Sequence, residues 1–344
     1  MTEMAQIPRP NRTRSSSPFR SSSKIIDRAA FAEDIHPVLH PGRVAVVTGA
    51  GHGIGKAAAK EFARLGLKVA ISDVNEERLN NVGRELEELI GKPNVLAIPT
   101  DVSKIDQVVR FKNQIYDTWG EVGVLMNNVG IRLRTTPWDI NGADSWRKVF
   151  EVNVLGMIKV QHTFVPSMIN QENHSVIVNS GSKRGITNPP SVSLPKEPKT
   201  IRSFRHSGDV LYSASKAAVK SLTESLAHEL RELPECNVTA HLFTAGNTWT
   251  GLTGDDGTGT GIKLDAAWTP EETVLYMLDK VRQGDFYIIV PDNETPKEVD
   301  QLRIMWSAGD VAENRPALSR WHKDYKPLFE EFMQEGLEAL KDTL

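Results

Sequence analysis

Tyr212-Ser213-Ala214-Ser215-Lys216 sets a phenol and an ammonium four residues apart, and on a helix that spacing puts both on one face. A phenol with its ordinary pKa of about 10 is a poor proton carrier at neutral pH. A cation fixed close by favours the phenolate and lowers that value. The chemistry expected of the pair is proton transfer to or from an oxygen. Such a pair is common by chance as an exposed helix contact, so its weight depends on where the helix begins.

A second group of residues is built to hold phosphate. Thr48-Gly49-Ala50-Gly51-His52-Gly53-Ile54-Gly55 follows the apolar run Arg43–Val47 and leads into an Ala-rich helical stretch, Lys56–Leu65. Glycines there let the backbone turn sharply and approach a pyrophosphate, while the helix N-terminus offers N–H groups and the positive end of its dipole. Gly49, Gly51, His52, Gly53, Ile54 and Gly55 are therefore expected cofactor contacts. Asp73, with Val74 after it, closes a second apolar run 24 residues past Gly49. A carboxylate at that place accepts from both adenosine-ribose hydroxyls and repels a 2′-phosphate, which favours NAD over NADP. The plainer reading of Asp73 is a cap on the helix beginning near Glu76. His52 and Lys56, which can meet a phosphate, keep NADP as the second choice.

These groups need a frame, and the chain supplies one. Apolar runs at Arg43–Val47, Leu67–Ser72, Val95–Ile98, Val122–Met126, Ser175–Asn179, Asn237–Phe243 and Phe286–Val290 read as strands. Between them lie helical patterns at Lys56–Leu65, Glu76–Ile90, Ile105–Thr118, Ser145–Asn170, Leu211–Arg231 and Pro270–Arg282. This alternation predicts an α/β fold, a three-layer, Rossmann-like doubly wound parallel sheet in a single domain, with ligands at the carboxyl ends of the strands. Tyr212 opens the helix after the fifth strand, at that edge. Two long segments interrupt the rhythm, Asn188–Gly208 with four prolines and Asn247–Gly261 rich in Gly and Thr; both follow strands and are placed to overhang the ligand edge. The expected organisation is a disordered or loosely attached segment over 1–40, a catalytic domain over 41–292 with an insertion at 187–208, and a helical extension over 293–344 carrying Trp306, Trp321 and Phe329.

With these motifs in one register, the chain resembles the short-chain dehydrogenase/reductase family in its common single-domain form, over roughly residues 40–292. Thr48-Gly-x-x-x-Gly53-x-Gly55 matches that family's cofactor motif, Asp101-Val102 its adenine contact, and Asn127-Asn128-Val129-Gly130 its Asn-Asn-Ala-Gly signature, with Val129 as a bulkier variant. The resemblance implies four catalytic residues. Tyr212 exchanges a proton with the substrate oxygen, Ser182 hydrogen-bonds that oxygen, Lys216 lowers the tyrosine pKa and binds the nicotinamide ribose, and Asn153 holds a water in a proton relay. It also implies cofactor contacts from Asn128, Val129, Gly130, Gly246, Thr248 and Thr250, although Thr244-Ala245-Gly246 stands where the family usually shows Pro-Gly. Pairing through the helices that hold Asn153 and Tyr212 implies a homodimer or homotetramer. The implied activity is NAD(P)-dependent hydride transfer on a secondary alcohol or ketone. Epimerisation or dehydration on the same fold is an alternative, as is a nucleotide-sensing protein without catalysis.

Composition narrows the rest. The 344 residues are 39% hydrophobic and 25% charged, with a formal net charge of −3 that gives no global basic field for nucleic acid. No apolar run approaches a membrane span, Cys236 is the only cysteine, and no metal-ligand set is read. A cytoplasmic enzyme is expected. Residues 1–24 are basic and Ser-rich, with Glu3 the single acid; a disordered tail is favoured because Pro8, Pro10 and Pro18 oppose the amphipathic helix of a mitochondrial targeting peptide. Between Ser182 and Tyr212 lie about thirty residues including Lys196, Lys199, Arg202, Arg205 and His206, against roughly a dozen in typical family members. A solvated loop is the ordinary reading of that insertion, and a basic flap favouring an acidic substrate the sharper one.

Overall fold

The computed structural model describes residues 36–133, 135, 137–138, 142–190, 209–255, 263 and 265–341. Seven strands form one sheet, β1 (Val44–Thr48), β2 (Lys68–Ser72), β3 (Val95–Ala97), β4 (Val124–Asn127), β5 (Ser175–Ser180), β6 (Val238–Thr244) and β7 (Tyr287–Ile289). Their spatial order is β3-β2-β1-β4-β5-β6-β7 and every pairing is parallel. The doubly wound α/β expectation is met. Chain order reverses between β1 and β4, so the crevice beside their carboxyl ends is the place where such sheets bind ligands.

The strands alternate their side chains between two cores, as a period of two requires. Ala45 and Val47 of β1 join one cluster with Ala57, Ala58 and Phe62 of helix α1 (Gly53–Arg64). Val44 and Val46 join the other, with Phe111 of α3 (Ile105–Trp119) and Phe164 of α5 (Met157–Ile169). Ala57, Ala58 and the next residue, Ala59, all buried, let α1 lie close to the sheet. Helix α2 (Glu76–Ile90) starts where Asn75 accepts a hydrogen bond from the Arg78 amide (2.9 Å), so Asn75, not Asp73, is its cap. Ordered packing begins earlier than Pro41: Val38 and Leu39 are buried in the first core, because this apolar pair has a greasy surface to cover.

The helix expected over Ser145–Asn170 is two helices joined by a π-turn: α4 (Ala143–Phe150), Glu151–Gly156 in the wider winding, then α5. The extra residue in that turn rotates the face of the helix at Asn153, a common device at functional sites. Short helix α6 (Arg184–Thr187) and long helix α7 (Val210–Glu232) follow β5, and α8 (Pro270–Arg282) is opened by a capping box between Thr269 and Glu272.

The extension is helical, α9 (Lys297–Ala312) and α10 (Lys326–Lys341), folded round Trp306. The indole N–H donates to Ser319 Oγ (2.8 Å), the Arg315 guanidinium lies 4.1 Å from the ring, and Phe329 and Phe332 complete the cluster. Lys183, beside Ser182, is tied to Asp300 on α9 (2.5 Å), which couples the extension to the sheet edge. Among the described residues no helix is long and apolar enough to cross a membrane.

Candidate active site

The glycine turn leaves β1 and is held by residues from three strands. Gly49 and Gly53 have φ of +67° and +56°, the left-handed region that favours glycine. A Cβ on Gly55 would stand 2.1 Å from the Gly49 carbonyl oxygen and 2.7 Å from Asn128 Nδ2, so backbone fills the space a side chain would need. Asn128 donates to that carbonyl (3.2 Å), its own amide donates to Thr48 Oγ1 (3.1 Å), and its Oδ1 accepts from Ser180 (3.3 Å). Asn128 thus stitches β4 and β5 to the turn. Val129 backs the turn, 3.1 Å from where a Gly49 Cβ would be. The cradle fits a pyrophosphate: side chains are excluded from it, and α1 begins with no side-chain cap and no acidic residue in its first turn.

Asp73 braces the turn from β2. Its Oδ2 accepts from the Gly51 amide (2.9 Å) and its Oδ1 from the Asn75 amide (2.9 Å). Val74 beside it is exposed. Lys56, considered a phosphate ligand from sequence, is instead paired with Glu85 of α2 (2.7 Å). His52 faces Asp255, 3.3 Å away, across the turn. Asp101 accepts from the Ser103 amide (2.9 Å), while Val102 is buried against Gly156 of the π-turn.

After β6 the expected contacts divide. Thr250 lies against Gly53, 3.1 Å from where a Cβ would be, and so reaches the glycine turn. Thr248 does not: it is buried and its hydroxyl is shared with Thr273 of α8 (3.0 Å), so its side chain is committed to packing. Gly246 passes under the Val290 and Pro291 carbonyls, where a Cβ would come within 2.8 and 2.7 Å. That crowding explains a glycine there without the usual proline before it.

The remaining four residues converge. Asn153 is buried in the π-turn; its Oδ1 accepts from the Ile131 amide (2.8 Å) and its Nδ2 donates to the Ile131 carbonyl (3.0 Å) and to Ser215 Oγ (3.0 Å). It pins the loop after β4 to α7. Lys216 is buried, donates to the Ser180 carbonyl oxygen (2.6 Å), and stands 3.4 Å from where a Gly130 Cβ would be. Burial pushes its pKa down to about 8. The Tyr212 ring lies 5.6 Å from the Lys216 ammonium, and Ser182 is within hydrogen-bonding reach of its hydroxyl.

The electrostatics of Tyr212 correct the sequence expectation. Burial raises its pKa above the ordinary value; the Ser182 hydrogen bond and then the Arg132 and Arg184 charges oppose that rise, and Asp209 adds to it. The Lys216 ammonium sits over the ring and donates to Ser180. The cations acting on the phenol are Arg132, two residues past Gly130, and Arg184, two past Ser182. Both pair with buried Asp209, Arg132 through both arms of its fork and Arg184 at 3.2 Å. Sequence reasoning missed this trio. The available signal was an arginine just past each of two strand ends.

Comparison with known proteins agrees with this geometry. A family model described as short chain dehydrogenase matches residues 43–194. The chain is 27% identical over 270 residues to the uncharacterized oxidoreductase YvrD of Bacillus subtilis, covering 78% of this chain and 90% of that protein. It is 36% identical over 191 residues to the 3-oxoacyl-[acyl-carrier-protein] reductase FabG of Thermotoga maritima, covering 55% of this chain and 68% of that one. A short chain dehydrogenase/reductase from Burkholderia phymatum, solved in complex with NAD, superposes with a TM-score of 0.66 at 26% identity, over 81% of this chain and 97% of the other. A metagenomic short-chain oxidoreductase solved with NADP gives a TM-score of 0.55 at 25% identity, over 73% and 97%.

Proposed function

The chain belongs to the short-chain dehydrogenase/reductase family of oxidoreductases, and from that premise we propose that it interconverts a secondary alcohol and its ketone, with NAD(H) preferred over NADP(H) and Tyr212 as the proton carrier. A nicotinamide held at the glycine turn would supply or accept the hydride. Tyr212 holds the proton that the substrate oxygen gains in reduction or loses in oxidation. Ser182 donates to the same oxygen and stabilises the negative charge that develops there. Lys216, against Gly130, would hold the nicotinamide ribose and keep a positive charge over the tyrosine ring. Asn153 fixes the loop that carries Ile131, and with it the site's wall.

One observation carries this reading. A phenol with a serine hydroxyl at its oxygen has over its ring an ammonium that stands 3.4 Å from where a Gly130 Cβ would be, in a fold whose glycine turn leaves no room for a Cβ at Gly55. The NAD preference rests on Asp73 bracing Gly51 and on Lys56 being consumed by Glu85, which removes one cation from the place a 2′-phosphate would need it. Association into a homodimer or homotetramer through α4, α5 and α7 belongs to the same reading. The test is isotope transfer: NADH carrying deuterium at C4, incubated with a panel of ketones, is expected to deliver the label to the carbinol carbon of the product. Substrate consumption without label transfer would instead favour epimerisation or dehydration.

A further inference from the structure

Beside the proton-carrying groups stands a charged cluster that the hydride-transfer reading does not use. Asp209, the residue before α7, is 4% exposed, while the two arginines that share its carboxylate are 24% and 32% exposed. Among the described residues, one buried negative charge faces two partly exposed positive ones.

The two arginines are not equivalent. Arg132 gives both arms of its fork to Asp209 and its remaining nitrogen to the Leu252 carbonyl (3.3 Å). It forms a closed, neutral pair that joins the loops after β4 and β6 to the start of α7. Arg184 holds Asp209 through a single contact of 3.2 Å and the Pro189 carbonyl through another of 3.4 Å, both long for a guanidinium bond. Its backbone amide donates to Ser182 Oγ (3.2 Å), so its position is set by the residue that faces the substrate oxygen. Gly185, next along, lies so close to α7 that a Cβ would stand 2.5 Å from the Lys216 carbonyl carbon, which fixes the short helix on which Arg184 sits.

We propose that Arg184 is a specificity-determining residue that binds a carboxylate on the substrate, with the Arg132–Asp209 pair as its support, so that the protein acts on small hydroxy acids and oxo acids. A planar, loosely held guanidinium matches a carboxylate fork and keeps its charge at every working pH. Asp209 holds it at the rim without satisfying it. Because the Arg184 amide donates to Ser182 Oγ and its charge reaches the Tyr212 phenol, the carboxylate is expected a few bonds from the reacting carbon. The substrate class rests on the hydride-transfer reading; the anion subsite itself does not.

The experiment pairs activity with binding, using the full chain. The 2-, 3- and 4-oxo acids are compared with their primary amides as substrates with NADH, and butyrate with butyramide as ligands by calorimetry. The acids are expected to exceed the amides in kcat/KM by about tenfold to a hundredfold, the worth of one charge-assisted hydrogen bond, carried by KM, and butyrate to bind correspondingly tighter. Arg184→Gln is expected to bring both ratios to about one, and Arg184→Lys to keep part of them. Ratios near one in the unaltered protein, or ratios that survive Arg184→Gln, would overturn the subsite. If no compound of either kind is turned over, the assignment to hydroxy and oxo acids fails, while the ketone panel still tests hydride transfer and the butyrate ratio still upholds or overturns the anion subsite.

Discussion

The Lys216 ammonium lies over the face of the Tyr212 ring, 5.6 Å from its centre. Its hydrogen bond goes to the Ser180 carbonyl oxygen at 2.6 Å. Both groups pay for burial, the tyrosine with a raised pKa and the lysine with one pushed down to about 8. In this state the phenol stays protonated and holds its proton more firmly than a free phenol does. Burial thus outweighs the Ser182 hydrogen bond and the arginine charges that favour the phenolate.

Burial of Lys216 has a consequence for stability. The unfolded chain keeps this proton to about pH 10.4, whereas the folded protein releases it near pH 8. Between those values the folded state binds fewer protons, so stability from this group rises with pH; below pH 8 the full cost of a buried charge is present. Lys216→Met is expected to melt higher than the unaltered protein at pH 7, with the gap narrowing by pH 9.5. A gap that does not change with pH would contradict the depressed lysine.

Gly55→Ala places a methyl against the Gly49 carbonyl, where no flexible group can give way. The turn must open, which is expected to cost about 1–3 kcal/mol of stability and to weaken NADH binding by about tenfold or more. Fluorescence titration of NADH checks the second effect. Unchanged affinity would mean the pyrophosphate does not use this turn.

Asn153→Ala removes three hydrogen bonds in a buried place and leaves Ile131 N–H and C=O without partners. A loss of about 2–3 kcal/mol in chemical denaturation is expected, with turnover reduced because the loop after β4 loosens. A residue serving only a water relay would lower turnover with stability intact.

Lys183→Met strands Asp300, which is buried on α9 with its pKa already raised by that burial and held down by Lys183. A loss of about 2–4 kcal/mol is expected at pH 7. The folded variant then holds the Asp300 proton more tightly than the unfolded chain, so its deficit shrinks as pH falls towards 5. Adding Asp300→Asn should recover part of the loss at pH 7. A deficit independent of pH would mean the two residues are not coupled.

Much of this was legible in the sequence, for identifiable reasons. The strands stand out as β-branched runs, and α2 and α8 were bounded to the residue because Asn75, Gly91 and the Thr269-Pro270 pair mark their ends. The glycine turn and the Tyr212–Lys216 spacing pointed to the chemistry proposed above. What stayed hidden was what periodicity cannot carry. A π-turn adds one residue without disturbing the apolar pattern round Asn153. Val122 reads as strand because it is apolar, yet it lies outside β4 with its amide given to Gln171 (3.2 Å). Arg132 and Asp209 are 77 residues apart and meet only because both follow the sheet's ligand edge. The 191–208 part of the basic insertion, and residues 256–262 of the segment after β6, lie outside the described residues.

The most direct measurement of the central claim joins two readings on Tyr212→Phe, the rate of NADH-coupled carbonyl reduction and the affinity for NADH. The account predicts a fall in rate of at least about a hundredfold, the contribution of a positioned proton donor, with NADH affinity within about threefold of the unaltered protein. Reduction that continues at a comparable rate in Tyr212→Phe would contradict it.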